Sequence, residues 1–182
     1  LGDVYKRQLR QTLASSALRG IDLRASPLGD PSRAALARQA RERRLPTLVW
    51  SGLQLGDGSA QQLVQELSSG DEPSAVTSLD LRQNGLTTLP LELLQLSALT
   101  ELHFDDAGMQ CGIQIDSATS MTVRGSHAIT SAGTIMTLAR LARERRLPTL
   151  VWSGLQFGDG GAQQLVKELA ANDEPSAVTS LD

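Results

Sequence analysis

The chain has one cysteine, Cys111, which excludes an internal disulfide. A reducing compartment is therefore acceptable, and a cytoplasmic location is expected. Aromatic residues are scarce: two Trp, one Tyr and two Phe in 182 residues. The 40% apolar content is instead mainly Leu and Ala, enough for a sizeable core built from aliphatic side chains. A basic excess is also missing. The formal net charge of −3 argues against a dedicated nucleic-acid binder, and no nucleic-acid partner is expected. No apolar run approaches the roughly 18 residues of a membrane span, and no secretory leader is visible, so no membrane partner is expected.

What is present is a repeated pattern. It is clearest in Val76 to Leu86, VTSLDLRQNGL, where Val76, Leu79, Leu81 and Leu86 are apolar and Asn84 stands between the last two. Leu79 and Leu81 alternate with Asp80 and Arg82, the period of a short strand with one buried face. The amide of Asn84 suits the turn that follows, because it can hydrogen-bond backbone groups of a neighbouring coil. Similar units begin near residues 18, 45, 76, 99, 118 and 147, with a truncated one near 178. Other side chains take the Asn position: Ser26, Leu53 and Ala107. In the fifth unit, fitted loosely to Ala118, Met121 and Val123, Ser126 takes it.

The segments between units predict their return paths. Ser32 to Arg44 is rich in helix formers, with Leu36, Ala37 and Ala40 on one face and Asp30-Pro31 as its start signal. Ala60, Leu63, Val64 and Leu67 define a second helix, with Asp57 as its cap and Gly70 as a left-handed stop. Leu89 to Leu96 predicts only an irregular or single-turn helix. Ser131 to Arg146 predicts a third full helix, capped by Ser131, with Ile135, Leu138, Ala139 and Ala142 inward. Ala40 to Asp80 recurs as Ala142 to Asp182, an offset of 102, with only six differing positions.

The pattern LxxLxLxxNxL resembles the leucine-rich repeat. Leu55-Gly56-Asp57-Gly58-Ser59-Ala60 and the helix after it look like the ribonuclease-inhibitor type of long repeat. Leu89-Pro90 with Leu93, Leu94 and Leu96 looks like the short typical class. The resemblance implies an α/β solenoid, a horseshoe segment of about six repeats plus a truncated seventh. Its parallel strands would line the concave face and its helices the convex face. Residues 11–182 would form this one domain, truncated at the C-terminus. Residues 1–10 are set aside: the chain begins at Leu1, and Asp3 to Gln8 reads DVYKRQ, which looks like a translated sequencing adaptor. Solenoids need polar caps at both ends. An uncapped fragment is expected to fray or to associate end to end.

What the resemblance implies functionally is a non-catalytic scaffold that binds a protein through its concave face. The outward residues there are Asp22, Arg24, Asp80, Arg82, Glu101, His103, Asp105 and Arg124. Aligned by unit, Arg82, Asp105 and Arg124 fall side by side, which predicts a lateral charge ladder. Catalytic, cofactor and metal roles are not expected. Glu101, His103, Asp105 and Asp106 are the densest titratable cluster, but neither a second His or Cys nor a nucleophile accompanies them. Cys111 with His127 is read as an inert thiol. Trp50 and Trp152 are read as core plugs whose indole N–H groups find partners. The RERR runs at Arg41–Arg44 and Arg143–Arg146 are read as helix C-termini rather than a phosphate patch. The alternatives are a GTPase-activating regulator of the Ran type, or the recognition part of a larger receptor or enzyme whose catalytic domain lies elsewhere. No kinase glycine-rich loop or catalytic-loop motif occurs.

Overall fold

The structure, a computed structural model, describes residues 19–24, 29–70, 72–106, 108–116, 119–125, 129–153, 159–170 and 180–181. Expectations placed on Leu18, Ser26, Leu28, Ala107, Ala118, Ser126, His127, Ala128 and Val178, and on the adaptor-like start, lie outside these residues.

Eight strands form one sheet in sequence order. They are β1 (Gly20–Asp22), β2 (Thr47–Val49), β3 (Ser78–Asp80), β4 (Glu101–Asp106), β5 (Met109–Asp116), β6 (Ser120–Gly125), β7 (Thr149–Ser153) and β8 (Ser180–Leu181). Between them run α1 (Asp30–Glu42), α2 (Gly56–Ser68), a 3-10 turn (Leu91–Gln95), α3 (Ala132–Glu144) and α4 (Asp159–Leu169). The helical elements form one layer: α1 lies on α2, α2 on the 3-10 turn, that turn on α3, and α3 on α4. The fold is thus α/β with a mostly parallel sheet. No helix of the described residues is long and apolar enough to cross a membrane.

Each strand buries alternate side chains beneath the helical layer, as period-2 patterning requires. One inner row runs Ile21, Leu48, Leu79, Leu102, Ile113 and Val123, all buried, and ends at partly buried Trp152. The helices contribute the faces that their spacing predicts: Leu36, Ala37 and Ala40 from α1; Ala60, Leu63, Val64 and Leu67 from α2; Ile135, Leu138, Ala139 and Ala142 from α3.

β5 departs from the expected all-parallel array. It pairs antiparallel with both β4 and β6. The chain leaves β4, turns at Gly108 (φ +79°), and comes straight back instead of crossing through a helix. This is why the step from residue 99 to 118 is short. The meander also shifts the register. Through β5, Val123 is level with Leu102 and Leu79, and Trp152 is level with Leu48 rather than with Trp50, its counterpart in the duplication.

Asn84 joins two successive units. Its Oδ1 accepts from the N–H groups of Leu53 (2.8 Å) and Leu55 (3.4 Å), and its Nδ2 donates to the carbonyls of Trp50 and Leu81 (both 2.8 Å). The coil after β2 therefore docks on the coil after β3 through one buried amide with every donor and acceptor used.

Several local expectations change. Ser131 does cap α3, its Oγ accepting from the N–H of Thr134 (3.2 Å). Asp30, by contrast, is the first residue of α1 and Gly29 is the cap. Asp57 does not cap α2. It reaches across to the next unit and accepts from the N–H groups of Thr87 (2.8 Å) and Thr88 (3.3 Å) and from the Thr87 hydroxyl. Burial raises its carboxyl, but these three hydrogen bonds outweigh that and leave it below the ordinary value. Gly70 is not left-handed; α2 stops at Ser69 in extended conformation. The left-handed stops are Arg44 (φ 53°) and Arg146 (φ 52°), at equivalent ends of α1 and α3.

The duplication shows what a neighbouring unit contributes. Val64 in α2 is 0% exposed against the 3-10 turn, whereas its counterpart Val166 in α4 is 57% exposed. Val64→Ala is expected to cost about 2 kcal/mol, the loss of two buried methyls. Val166→Ala should cost less than about 0.5 kcal/mol. Equal shifts of the urea midpoint for the two variants would contradict this account.

Candidate functional site

The outer face of the sheet, away from the helices, carries the candidate residues. Strand registers place Asp22, Val49, Asp80, His103, Gly112, Arg124 and Ser153 in one continuous row. A second row runs Gly20, Thr47, Ser78, Glu101, Gln114, Thr122 and Val151. From β2 to β7 each strand is hydrogen-bonded on both sides, whereas Gly20 and Asp22 stand on the edge strand β1.

The expected ladder of Arg82, Asp105 and Arg124 does not form. β5 separates β4 from β6, and the register shift puts Arg124 level with His103 instead of Asp105. Charges pair along their own strands. Arg82 grips Asp80 with Nε (3.0 Å) and Nη2 (2.6 Å), while Asp80 Oδ1 also accepts from the Arg82 N–H (3.0 Å). Asp22 and Arg24 repeat the arrangement, with Nη2 at 3.0 Å and the backbone N–H at 3.1 Å. Burial raises the Asp80 carboxyl, yet the hydrogen bonds and charge of Arg82, with a contribution from His103, hold it below its ordinary value. Those same hydrogen bonds to Asp80 raise the Arg82 guanidinium. Asp105 is turned to structural use, its Oδ2 accepting from the N–H of Gln83.

The next pair stands on β4. His103 Nε2 lies 3.1 Å from Glu101 Oε1, and Glu101 Oε2 accepts from the Ser78 hydroxyl (2.8 Å). The Ser78 hydrogen bond holds the Glu101 carboxyl below its ordinary value, with His103 assisting against burial. Beside this pair the sheet opens into a shallow cleft of about 320 Å³, lined by Arg82, Glu101, His103, Gln110, Gln114 and Arg124 over the backbone of Gly112 and Gly125.

Residues with sharper chemical readings turn out to be structural. Cys111 is buried, and burial, then the charge of Asp106, pushes its thiol up to about 11, so it is inert at neutral pH. Asp106 points inward and accepts from the N–H of Thr130 (2.7 Å) and its hydroxyl (3.3 Å). Groups of three or more His, Cys, Asp or Glu able to hold a metal do not occur among the described residues. Three of the six RERR arginines are spent on backbone carbonyls, among them Arg41 on Glu66 O and Arg143 on Glu168 O, both at 3.0 Å, while Arg44 pairs with Glu72. Arg145 donates to the carbonyls of Leu96 (2.6 Å) and Leu99. Trp50 is wholly buried as a core plug should be, but its indole N–H meets no acceptor among the described residues, contrary to expectation.

Sequence reasoning missed β5 and with it Gln110, Gly112 and Gln114. The signal was present: Cys111, Ile113 and Ile115 alternate with Gly112, Gln114 and Asp116 after an Asp-Ala-Gly turn.

Compared with protein-family models, characterised proteins and solved structures, the chain gives no match.

Proposed function

We propose that this chain is a leucine-rich repeat segment acting as a non-catalytic scaffold, and that it binds a protein partner through the sheet face opposite the helices. The observation that carries the reading is the continuous outer row from Asp22 through Asp80 and His103 to Arg124, titratable side chains interrupted only by Val49 and Gly112. Asn84 supports the repeat assignment, because it stitches one unit to the next through backbone groups alone. Repeat proteins use such extended strand faces for recognition. The cytoplasm is the proposed compartment, on the single buried thiol.

The test compares two variants in affinity capture from a lysate, with captured proteins identified by mass spectrometry. One reverses charge on the outer face (Arg24→Glu, His103→Glu, Arg124→Glu). The other adds charge on the helical face (Gln61→Glu, Gln65→Glu). Loss of the wild-type set with the first variant only is expected; equal capture by both means the face is wrongly assigned. Accelerated GTP hydrolysis by a captured small GTPase would instead favour the regulator reading.

A further inference from the structure

We propose that the cleft between β4, β5 and β6 anchors a carboxylate side chain of an acidic segment in the partner protein, held between His103 and Arg124 above Gly112. This deepens the scaffold reading and rests on it.

The geometry starts from a gap. His103, Gly112 and Arg124 are consecutive members of one outer row, on β4, β5 and β6. Adjacent strands are ~4.8 Å apart, so the backbones that carry the two side chains stand roughly 10 Å apart, with no side chain from β5 between them. That space accommodates a carboxylate. The gap is a property of Gly112 itself: a Cβ there would meet His103 Nδ1 at 3.3 Å. The imidazole therefore leans over the glycine and turns Nδ1 toward the gap.

The cations are arranged for an anion. Arg124 is exposed and has no hydrogen-bond or ion-pair partner among the described residues, unlike Arg82 beside Asp80. Its five donors are free, in the planar fork that matches a carboxylate. On the other side, Glu101 accepts from His103 Nε2. A carboxylate only accepts, so the neutral ring carries its proton on Nε2 and leaves a lone pair on Nδ1. Protonation then adds an N–H at Nδ1, aimed into the cleft, while Glu101 stabilises the imidazolium from behind. Gln110 and Gln114 supply neutral donors at the rim.

The groups facing His103 define the background. From β3 and the turn after it come Asp80 and Arg82, already paired. From β4 come Glu101, held ionised by Ser78, and Asp105, committed to the Gln83 N–H. Outward on β5 stand Gln110, Gly112, Gln114 and, beyond the lining of the cleft, the exposed Asp116; β6 offers Arg124. Among the residues lining the cleft, Arg124 and a protonated His103 are the two cations left to meet a ligand.

The test uses the full chain, hexaglutamate as probe and hexaserine as neutral control, followed through the His103 ring resonance and by calorimetry. Hexaglutamate should move the His103 signal and bind about tenfold more tightly to the wild type than to His103→Gln, the worth of one charge-assisted hydrogen bond. Arg124→Gln should weaken binding, and Arg124→Lys should restore part of it. A response to hexaserine equal to that to hexaglutamate overturns the proposal. So does unchanged binding by Arg124→Gln, or a larger response to inorganic phosphate than to hexaglutamate. If lysate capture depends on the outer face but hexaglutamate leaves His103 unmoved, the anchor fails and the scaffold reading stands.

Discussion

Asn84→Ala lowers the unfolding free energy by about 3–5 kcal/mol, the expected cost of leaving several buried backbone groups without partners. The side chain is 2% exposed, so in the wild type bulk water does not reach the groups it satisfies. It satisfies two N–H groups and two carbonyls, and three of those four groups belong to the preceding coil. Stability of a domain this size is ordinarily about 5–15 kcal/mol, so the loss is a large share of it. Urea unfolding followed by far-UV circular dichroism measures it, and a loss under about 1 kcal/mol would sink the account. Asn84→Asp makes a sharper case. An ionised carboxylate keeps the acceptors but faces the Trp50 and Leu81 carbonyls with no donor, so its folded-state pKa lies above the unfolded value near ~3.9. The variant's stability is then highest below that value. It falls as pH rises through the folded pKa, whereas wild type has no such term at this site.

The second large effect separates two arginines with the same local sequence. Arg43 and Arg145 are counterparts in the 102-residue duplication. Arg43 is exposed. Arg145 is partly buried and donates to the carbonyls of Leu96 and Leu99, fastening the end of α3 to the unit containing the 3-10 turn. Charged hydrogen bonds of this kind contribute about 1.5–3 kcal/mol each at most. Arg145→Met should therefore cost about 2–3 kcal/mol, and Arg43→Met less than about 0.5 kcal/mol. Burial lowers the Arg145 guanidinium, but from a starting value so high that the difference should be the same at pH 5 and pH 8. Equal midpoint shifts for the two variants would refute the clamp.

Much of the site was legible at the level of face. Asp22, Arg24, Asp80, Arg82, Glu101 and His103 lie outward because a strand's alternation is local and Leu79, Leu81 and Leu102 mark the buried side. Lateral order was legible only where units step by a parallel crossover. Arg124 was assigned beside Asp105 by counting within units, but β5 intervenes and moves it level with His103. Gly112, which opens the cleft, had no place in a repeat pattern that scores apolar positions.

The sequence by itself determined the period-2 strands, the helical faces of α1, α2 and α3, the short 3-10 return after Leu89-Pro90, and the role of Asn84 as a linking amide. These follow from side-chain spacing and from what an amide can donate and accept. Only the tertiary structure decided how the strands align across β5, which of two identical arginines is clamped, and why Val64 is buried while Val166 is not. The physical reason is the same in each case. Duplicated segments carry identical local preferences, but burial and hydrogen bonding are properties of what lies alongside, and their neighbours differ.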